Sequence, residues 1–367
     1  MFLSALKLFN FKNYPEANLE FEHNVNCFLG KNGSGKTNLL DAMHYLSFTK
    51  SAFNPSDTQN ISLGESQFII KGNFQVQKKS KEVVCSYQQG MKKIVREEGQ
   101  DYLKFSDHVG KYPVVMIAPQ DIELIWDGSE VRRKFFDSLL SQIDHGYLDD
   151  LIVYTNYLKQ RNSALKLFAE RGSIDHDLLA SYAEKIIPSA KRIFSKRQEF
   201  LTEFLPTFQL HYRNLCDLKA EKMTIHYRSD LDGFDFEELL QKNLSRDVML
   251  QRTTSGIHRD DFLFLLNGNE VKRYGSQGQQ KSFLIALKLA EFQCIEDRKK
   301  FKPLLLLDDI FDKLDDSRIR KMMEFVADGM FGQLFITDAR PDRCKALLGE
   351  VNIKANIITI ENGTFVS

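Results

Sequence analysis

Eight consecutive residues carry the clearest chemical signal in the chain: Gly30-Lys31-Asn32-Gly33-Ser34-Gly35-Lys36-Thr37. They fit G-x-x-x-x-G-K-[ST], a spacing that cradles phosphates. Glycines let the backbone bend so that successive N–H groups face anionic oxygens, and the start of a following helix adds a favourable dipole. In such a loop Lys36 reaches the β- and γ-phosphates, and the Thr37 hydroxyl holds Mg²⁺. A second element, Leu304 to Asp309, is four leucines ending in two acids. It places carboxylates at the C-terminal end of a buried strand, where ligands sit in open α/β sheets. There Asp308 would hold Mg²⁺ through water, and Asp309, pointing the other way, would orient an attacking water as general base. A third run, Ser276-Gln277-Gly278-Gln279-Gln280, offers a hydroxyl, free N–H groups and a glycine at a helix start. That is either a second anion-binding end or a plain N-cap. A nucleoside triphosphate and Mg²⁺ are the expected ligands.

The elements around these residues are readable from pattern. Val25 to Leu29 is an apolar run that reads as a buried strand, and Leu39, Leu40, Met43 and Leu46 recur as in a helix. Alternation in residues 1–30 suggests strands feeding the loop, and short alternating runs from Phe68 to Leu103 read as an antiparallel meander. Tyr112 to Ile117 is another buried strand. From Gln120 the pattern becomes helical and continues to Leu205, interrupted by Gly172, Pro188 and Pro206. Strands are expected at Phe208–Tyr212 and Met223–Tyr227, with one helix over Phe236–Leu250. Phe262–Leu266 and Glu270–Arg273 look like a hairpin, and Ser276 opens a helix to about Asp297. Leu304 to Leu307 reads as a central parallel strand, Ile319 to Val326 as a helix and Gln333 to Thr337 as a strand. Ile357–Ile360 and Thr364–Val366 read as edge strands.

The fold class that follows is α/β, with mixed sheets interrupted by a mainly helical insert. The phosphate loop lies near one end and its acidic partner strand near the other, so the halves must meet across the insert.

Composition narrows the classes further. The chain has 367 residues, 43% of them hydrophobic, and equal numbers of basic and acidic side chains give zero formal net charge. Any nucleic-acid contact must therefore use a local patch. Candidates are Lys191, Arg192, Lys196 and Arg197, and the consecutive Arg132-Arg133-Lys134; for each, a solvated helix surface is the simpler alternative. Five scattered cysteines form no C-x-x-C pair, against a disulfide framework or zinc site and in keeping with a reducing cytoplasm. The chain starts with no signal-peptide pattern and holds no apolar run long enough for a membrane span. A cytoplasmic protein with no membrane partner is expected.

The order of Asn10-Phe11-Lys12-Asn13-Tyr14, the phosphate loop, Val131-Arg132-Arg133-Lys134-Phe135-Phe136-Asp137, Gly256-Ile257-His258-Arg259-Asp260-Asp261, Tyr274 to Gln280 and Leu304 to Asp315 resembles the bacterial RecF family. These are DNA replication and repair ATPases, akin to the cassette-type heads of chromosome-maintenance and double-strand-break-repair ATPases. Lys12 stands where that family usually has arginine. The resemblance implies an ABC-ATPase-like P-loop head in two halves, 1–118 and 250–367, with the insert as an arm at 119–249. It makes the nucleotide ATP and implies a homodimer that forms on ATP and binds gapped or duplex DNA. It also implies slow ATP hydrolysis used as a switch. RecR- and RecO-type mediators are the implied partners, in loading recombinase onto single strands. By resemblance, Ser276, Gln277 and Gly278 complete the nucleotide site of the partner subunit, as S-G-G-Q does in cassette ATPases. The same resemblance implies that Gln120 is a sensor linking nucleotide to arm, that Asp315 sits where cassette ATPases have a dimer-contact loop, and that Thr337-Asp338 occupy a switch position that is histidine in transporters. Two other readings share this fold: the cytoplasmic ATPase subunit of a transporter, and a chromosome-tethering ATPase. The SQGQQ run, the Thr337-Asp338 pair and the large insert argue against the first. An insert of about 130 residues with three prolines and no sustained heptads argues against the second. His258 to Asp261 reads by composition as a buried polar network or a turn.

Overall fold

Alternating side chains at the start of the chain build β1 (Phe2–Phe11) and β2 (Tyr14–Glu20), an antiparallel hairpin. The all-buried β3 (Val25–Leu29) follows and leads through the phosphate loop into α1 (Lys36–Phe48). Strands β4 (Gln67–Val76), β5 (Lys79–Gln88), β6 (Ile94–Glu97) and β7 (Gln100–Asp101) form the expected meander, and β8 (Val114–Ile117) closes this stretch. Helices come next: α2 (Glu123–Trp126), α3 (Ser129–Ile143), α4 (His145–Arg171) and α5 (His176–Leu215). Then follow β9 (Met223–Arg228), α6 (Phe236–Lys242), α7 (Leu244–Met249), β10 (Asp261–Leu266), β11 (Asn269–Glu270), α8 (Val271–Tyr274) and α9 (Gln277–Lys299). The last elements are β12 (Leu304–Leu307), α10 (Asp316–Ala327), β13 (Leu334–Asp338), α11 (Pro341–Glu350), β14 (Ala355–Glu361) and β15 (Thr364–Val366). This computed structural model describes residues 1–216, 221–310, 316–361 and 363–366.

The chain divides into two compact units, residues 1–121 with 287–367, and residues 122–286. The first unit holds two six-stranded sheets, ordered β2-β1-β4-β5-β6-β7 and β15-β14-β3-β13-β12-β8. The second sheet pairs β8, β12, β13, β3 and β14 in parallel, and only β15 runs antiparallel. Between the two sheets lies one continuous core in which Leu39, Leu40, Met43 and Leu46 of α1 meet Leu8, Phe74, Leu306 and Phe335. The β1–β2 hairpin thus joins the meander, and β3 stands in the other sheet. Residues 355–361 are not an edge strand as expected: β14 lies between β3 and β15, and the edge is β15 alone.

In the second unit several expectations change. The α5 helix runs unbroken over 40 residues through Pro188 and Pro206, and Phe208–Tyr212 is its last stretch, not a strand. Proline in a helix interior costs about 3 kcal/mol. Against that, α5 buries Ile186, Ala190, Ile193, Arg197, Leu201, Phe204, Phe208 and Tyr212, which recur every three or four residues along one face. That stripe of tertiary contact outweighs the local cost. The expected helix over 236–250 is two short ones, with Asn243 between α6 and α7. The expected strand at Glu270–Arg273 is two residues long, and Val271 begins α8. The unit extends beyond the expected boundary at 249 because β10 pairs with β9 from Asp261↔Arg228 to Leu266↔Met223, which places that part of 250–286 in this unit.

The centre of this unit is polar. Arg197 is 1% exposed, its guanidinium reaching Asp137 at 2.8 Å and Asp260 at 2.9 Å. Tyr147 donates to Asp137 and Tyr227 to Asp260, and burial pushes the Asp260 carboxyl up to about 6 despite Arg197. Phe136 stacks on Phe262 beside them, with ring centroids 4.0 Å apart. Removing one partner of a buried pair leaves a charge without compensation. Arg197→Ala is therefore expected to cost about 3–5 kcal/mol, measured by urea unfolding. A loss below 1 kcal/mol would show the network to be dispensable for stability.

Candidate functional site: the phosphate loop and the acidic strand end

The loop between β3 and α1 is shaped by what it passes. A Cβ at Gly30 would lie 2.2 Å from the carbonyl oxygen of Ile360 in β14, so no other residue fits without backbone movement. Gly35 caps α1 at φ 112°, in the left-handed region. A Cβ there would meet Asn13 Nδ2 at 2.4 Å and the Tyr14 hydroxyl at 2.7 Å. Asn13, in the β1–β2 turn, donates to the Ser34 carbonyl at 3.3 Å and accepts from Asn38 Nδ2 at 2.6 Å. It brackets the loop from outside. Its place within the Asn10–Tyr14 motif was visible in the sequence, but its contact with residues 34–38 depends on tertiary folding.

Lys36 is buried, and its ammonium donates to the carbonyls of Gly30 at 2.9 Å and Lys31 at 3.1 Å. Thr37 Oγ1 lies 2.9 Å from Asp308 Oδ1 and 3.0 Å from Oδ2. Thr337 Oγ1 donates to the same carboxylate at 2.8 Å and accepts from the Asp309 N–H at 2.8 Å. Burial raises the Asp308 carboxyl, the two hydroxyls pull it down, and Asp309 raises it. Asp309 has φ 44°, a left-handed conformation that aspartate tolerates, and it shares a pocket with Asn32, Gly33 and Gly35 to Asn38. The structure thus brings together the loop, Asp308 and Asp309, which stand at opposite ends of the sequence.

Gln120 lies elsewhere in the same unit. It is exposed, in the short turn Pro119–Ile122 after β8, and is not among the residues lining the pocket. Its neighbour Asp121 caps the Ala118 N–H at 2.8 Å and meets Lys288 at 3.2 Å. Ser276, Gln277 and Gly278 belong to the other compact unit. Ser276 is the N-cap: Gln279 N–H donates to its hydroxyl at 3.2 Å, and the Gln279 side chain accepts from the Ser276 N–H at 2.7 Å. This reciprocal capping leaves Ser276 and Gln277 exposed at the helix start. Asp315 lies outside the described residues.

The proposed basic patches are largely neutralised. Lys191 pairs with Asp235 at 2.7 Å, Arg192 with Asp150 at 2.5 Å and Lys196 with Asp144 at 3.1 Å, and Arg197 is in the core. Arg132 binds Asp261, Arg133 donates to the Asp260 carbonyl, and Lys134 pairs with Glu130. A signal was present in the sequence: Arg197 keeps helical step with Ile193 and Phe204, which marks it as inward-facing.

Strands parallel to a phosphate-loop strand, with an acid at the end of the strand one removed, define a P-loop ATPase head. The family model described as the RecF/RecN/SMC N terminal domain matches residues 2–356. A protein of Flavobacterium johnsoniae, "DNA replication and repair protein RecF", is 47% identical over 95% of this chain and 97% of its own length. One of the same name from Cytophaga hutchinsonii is 45% identical over 94% of this chain and 90% of its own length. The solved structure "recombination mediator protein RecF-ATP in RecFOR pathway" superposes with a TM-score of 0.88 at 29% identity, covering 100% of this chain and 97% of that one. The Smc head domain of Pyrococcus furiosus, at 14% identity and a TM-score of 0.55 over 99% of this chain and 95% of its own, shares the fold. The chain belongs to the RecF family. Among the described residues no helix is long and apolar enough to cross a membrane.

Two outcomes follow from this geometry. Gly30→Ala should destabilise the fold by about 1–3 kcal/mol, seen as a lowered urea midpoint, because β14 must shift. Glu291, buried beside Lys288 at 3.5 Å, has its carboxyl pushed up to about 7 by burial. The folded state keeps a proton that the unfolded chain loses, so this contribution is full below the ordinary 4.5 and is lost as pH rises through 7. Stability of Glu291→Gln, measured by urea titration across that window, should fall less with rising pH than wild type.

Proposed function

We propose that the chain is an ATP-dependent DNA-binding protein of recombinational repair and replication, cytoplasmic, in which ATP closes a homodimer and slow hydrolysis opens it. The observation that carries this is the meeting of Thr37 and Asp308 at the phosphate loop, in a chain whose relatives are named DNA replication and repair proteins. The N–H groups along Gly30 to Thr37 (Gly30, Lys31, Asn32, Gly33, Ser34, Gly35, Lys36, Thr37) hold the triphosphate, with Gly35 starting the helix whose dipole faces it. Lys36 exchanges its two carbonyl acceptors for β- and γ-phosphate oxygens. Thr37 and Asp308 hold Mg²⁺, and a hydroxyl and a carboxylate suit such an oxygen-preferring ion. Held there, Mg²⁺ would supply positive charge that offsets the charge of the phosphates. Asp309 is the general base that orients the attacking water, and Thr337 positions both acids through its hydroxyl.

Ser276, Gln277 and Gly278 complete the partner subunit's site with an exposed helix start, so each site needs a second copy of the chain. Gln120 links nucleotide to the helical unit through the turn that Asp121 and Lys288 hold. RecR- and RecO-type mediators are the protein partners, in loading recombinase at single-strand/double-strand junctions; no membrane is involved.

Sedimentation with ATP, with and without gapped DNA, tests the switch. Asp309→Asn should accumulate a dimer that holds DNA, with turnover about 100-fold or more below wild type. Lys36→Met should stay monomeric under the same conditions. If neither variant alters self-association, the split-site mechanism is wrong.

A further inference from the structure

The turn from Arg252 to Asp261, between α7 and β10, is immobilised almost residue by residue. Thr253 donates through its N–H and hydroxyl to Asn162 Oδ1 at 2.8 and 2.7 Å, and Arg161 donates to its hydroxyl at 2.6 Å. Thr254 donates twice to Asp247, at 2.9 and 2.6 Å, and Ser255 accepts from Asn243 at 2.9 Å. Gly256 has φ 125°, and a Cβ there would meet the Phe236 ring at 2.7 Å and the Tyr154 hydroxyl at 2.8 Å. The Ile257 carbonyl accepts from Arg197 at 3.0 Å, and His258 joins the Tyr154 hydroxyl at 2.6 Å and the Thr253 carbonyl at 3.0 Å. Asp260 and Asp261 are tied to Arg197 and Arg132.

Two side chains of the stretch stand apart. Arg252 and Arg259 are exposed, and neither guanidinium has an ion pair or hydrogen bond among the described residues. Burying a polar network of this size is expensive, and its return is a fixed geometry. Here the fixed object is the backbone that carries two arginines. A pre-ordered backbone removes part of the entropy cost of binding, and the guanidinium fork matches phosphate oxygens in a bidentate way. The basic clusters on α3 and α5, by contrast, already face acids of their own unit.

We propose that Arg252 and Arg259 are phosphate contacts for the DNA backbone, held in place by the buried turn. The contact is independent of base sequence, since phosphates position the duplex without reading it. This inference rests on the DNA-binding reading above.

The test is duplex binding by fluorescence anisotropy, with ATP and Mg²⁺ present, over a series of KCl concentrations. Each of R252A and R259A should make the slope of log K against log salt shallower by about 0.9, and the double variant by about 1.8. R259K keeps the charge and should keep the slope, while binding weakens through the lost fork. Both positions are exposed, so melting temperatures should stay within about 2 °C of wild type. Slopes equal to wild type in all alanine variants would overturn the proposal. A wild-type chain that binds no duplex would overturn the DNA reading itself, and the wild-type arm shows this before any variant is compared.

Discussion

Parallel registration of three strands is the constraint on which the first unit depends. Leu29 of β3 stands opposite Asp338 of β13, and Ile336 of β13 opposite Leu307 of β12. The C-terminal ends of β3 and β13 are thereby level, β12 ends two residues earlier, and the residues just beyond the strands share one edge. That register is what puts Thr37, at the start of α1, within 2.9 Å of Asp308. All four leucines of β12 are buried, so a slip of one residue would leave an apolar strand but carry its carboxylates away from the loop. Gly30 fits the same frame, since β14, the neighbour of β3 on its other side, leaves no room for a Cβ.

The two units solve the problem of a core differently. The first packs α1 and two sheets through aliphatic and aromatic contact. The second places charges where apolar residues would serve, with Arg197, Arg161, Asp137, Asp247 and Asp260 in two linked sets of hydrogen bonds. Apolar packing of equal volume is often at least as stable as a buried ion pair. What a charged network adds is direction: the hydrogen bonds to Ile257, His258 and Asp260 permit one course of the chain through that turn. This gives the run Gly256 to Asp261 a physical content that its composition alone did not supply.

Membership of the RecF family also separates readings that the motifs leave together. A transporter subunit, a chromosome tether and a repair ATPase all use a phosphate loop and an acidic strand end. The relatives that align over nearly the whole chain are repair proteins, whereas the likeness to an Smc head reaches the fold alone.

Much of the head was legible because its signals are local. A glycine-rich loop between an apolar strand and a periodic helix, and four leucines before two acids, state their own secondary structure and chemistry within a few residues. The pattern of the meander was equally plain. The failures were of other kinds. Pro188, Pro206 and Phe208 to Tyr212 looked like breaks in α5, because propensity is local while the buried stripe that overrides it acts over the whole helix. Lys191 to Arg197 looked like one cationic face, though three of its members meet acids far away in sequence and the fourth is core. The sequence alone determined the order of local elements, a glycine-rich turn between an apolar strand and a periodic helix, and four leucines before two acids. Only the tertiary structure decided which cations are already spoken for, since the partner of a charge is set by strands and helices meeting across long separations.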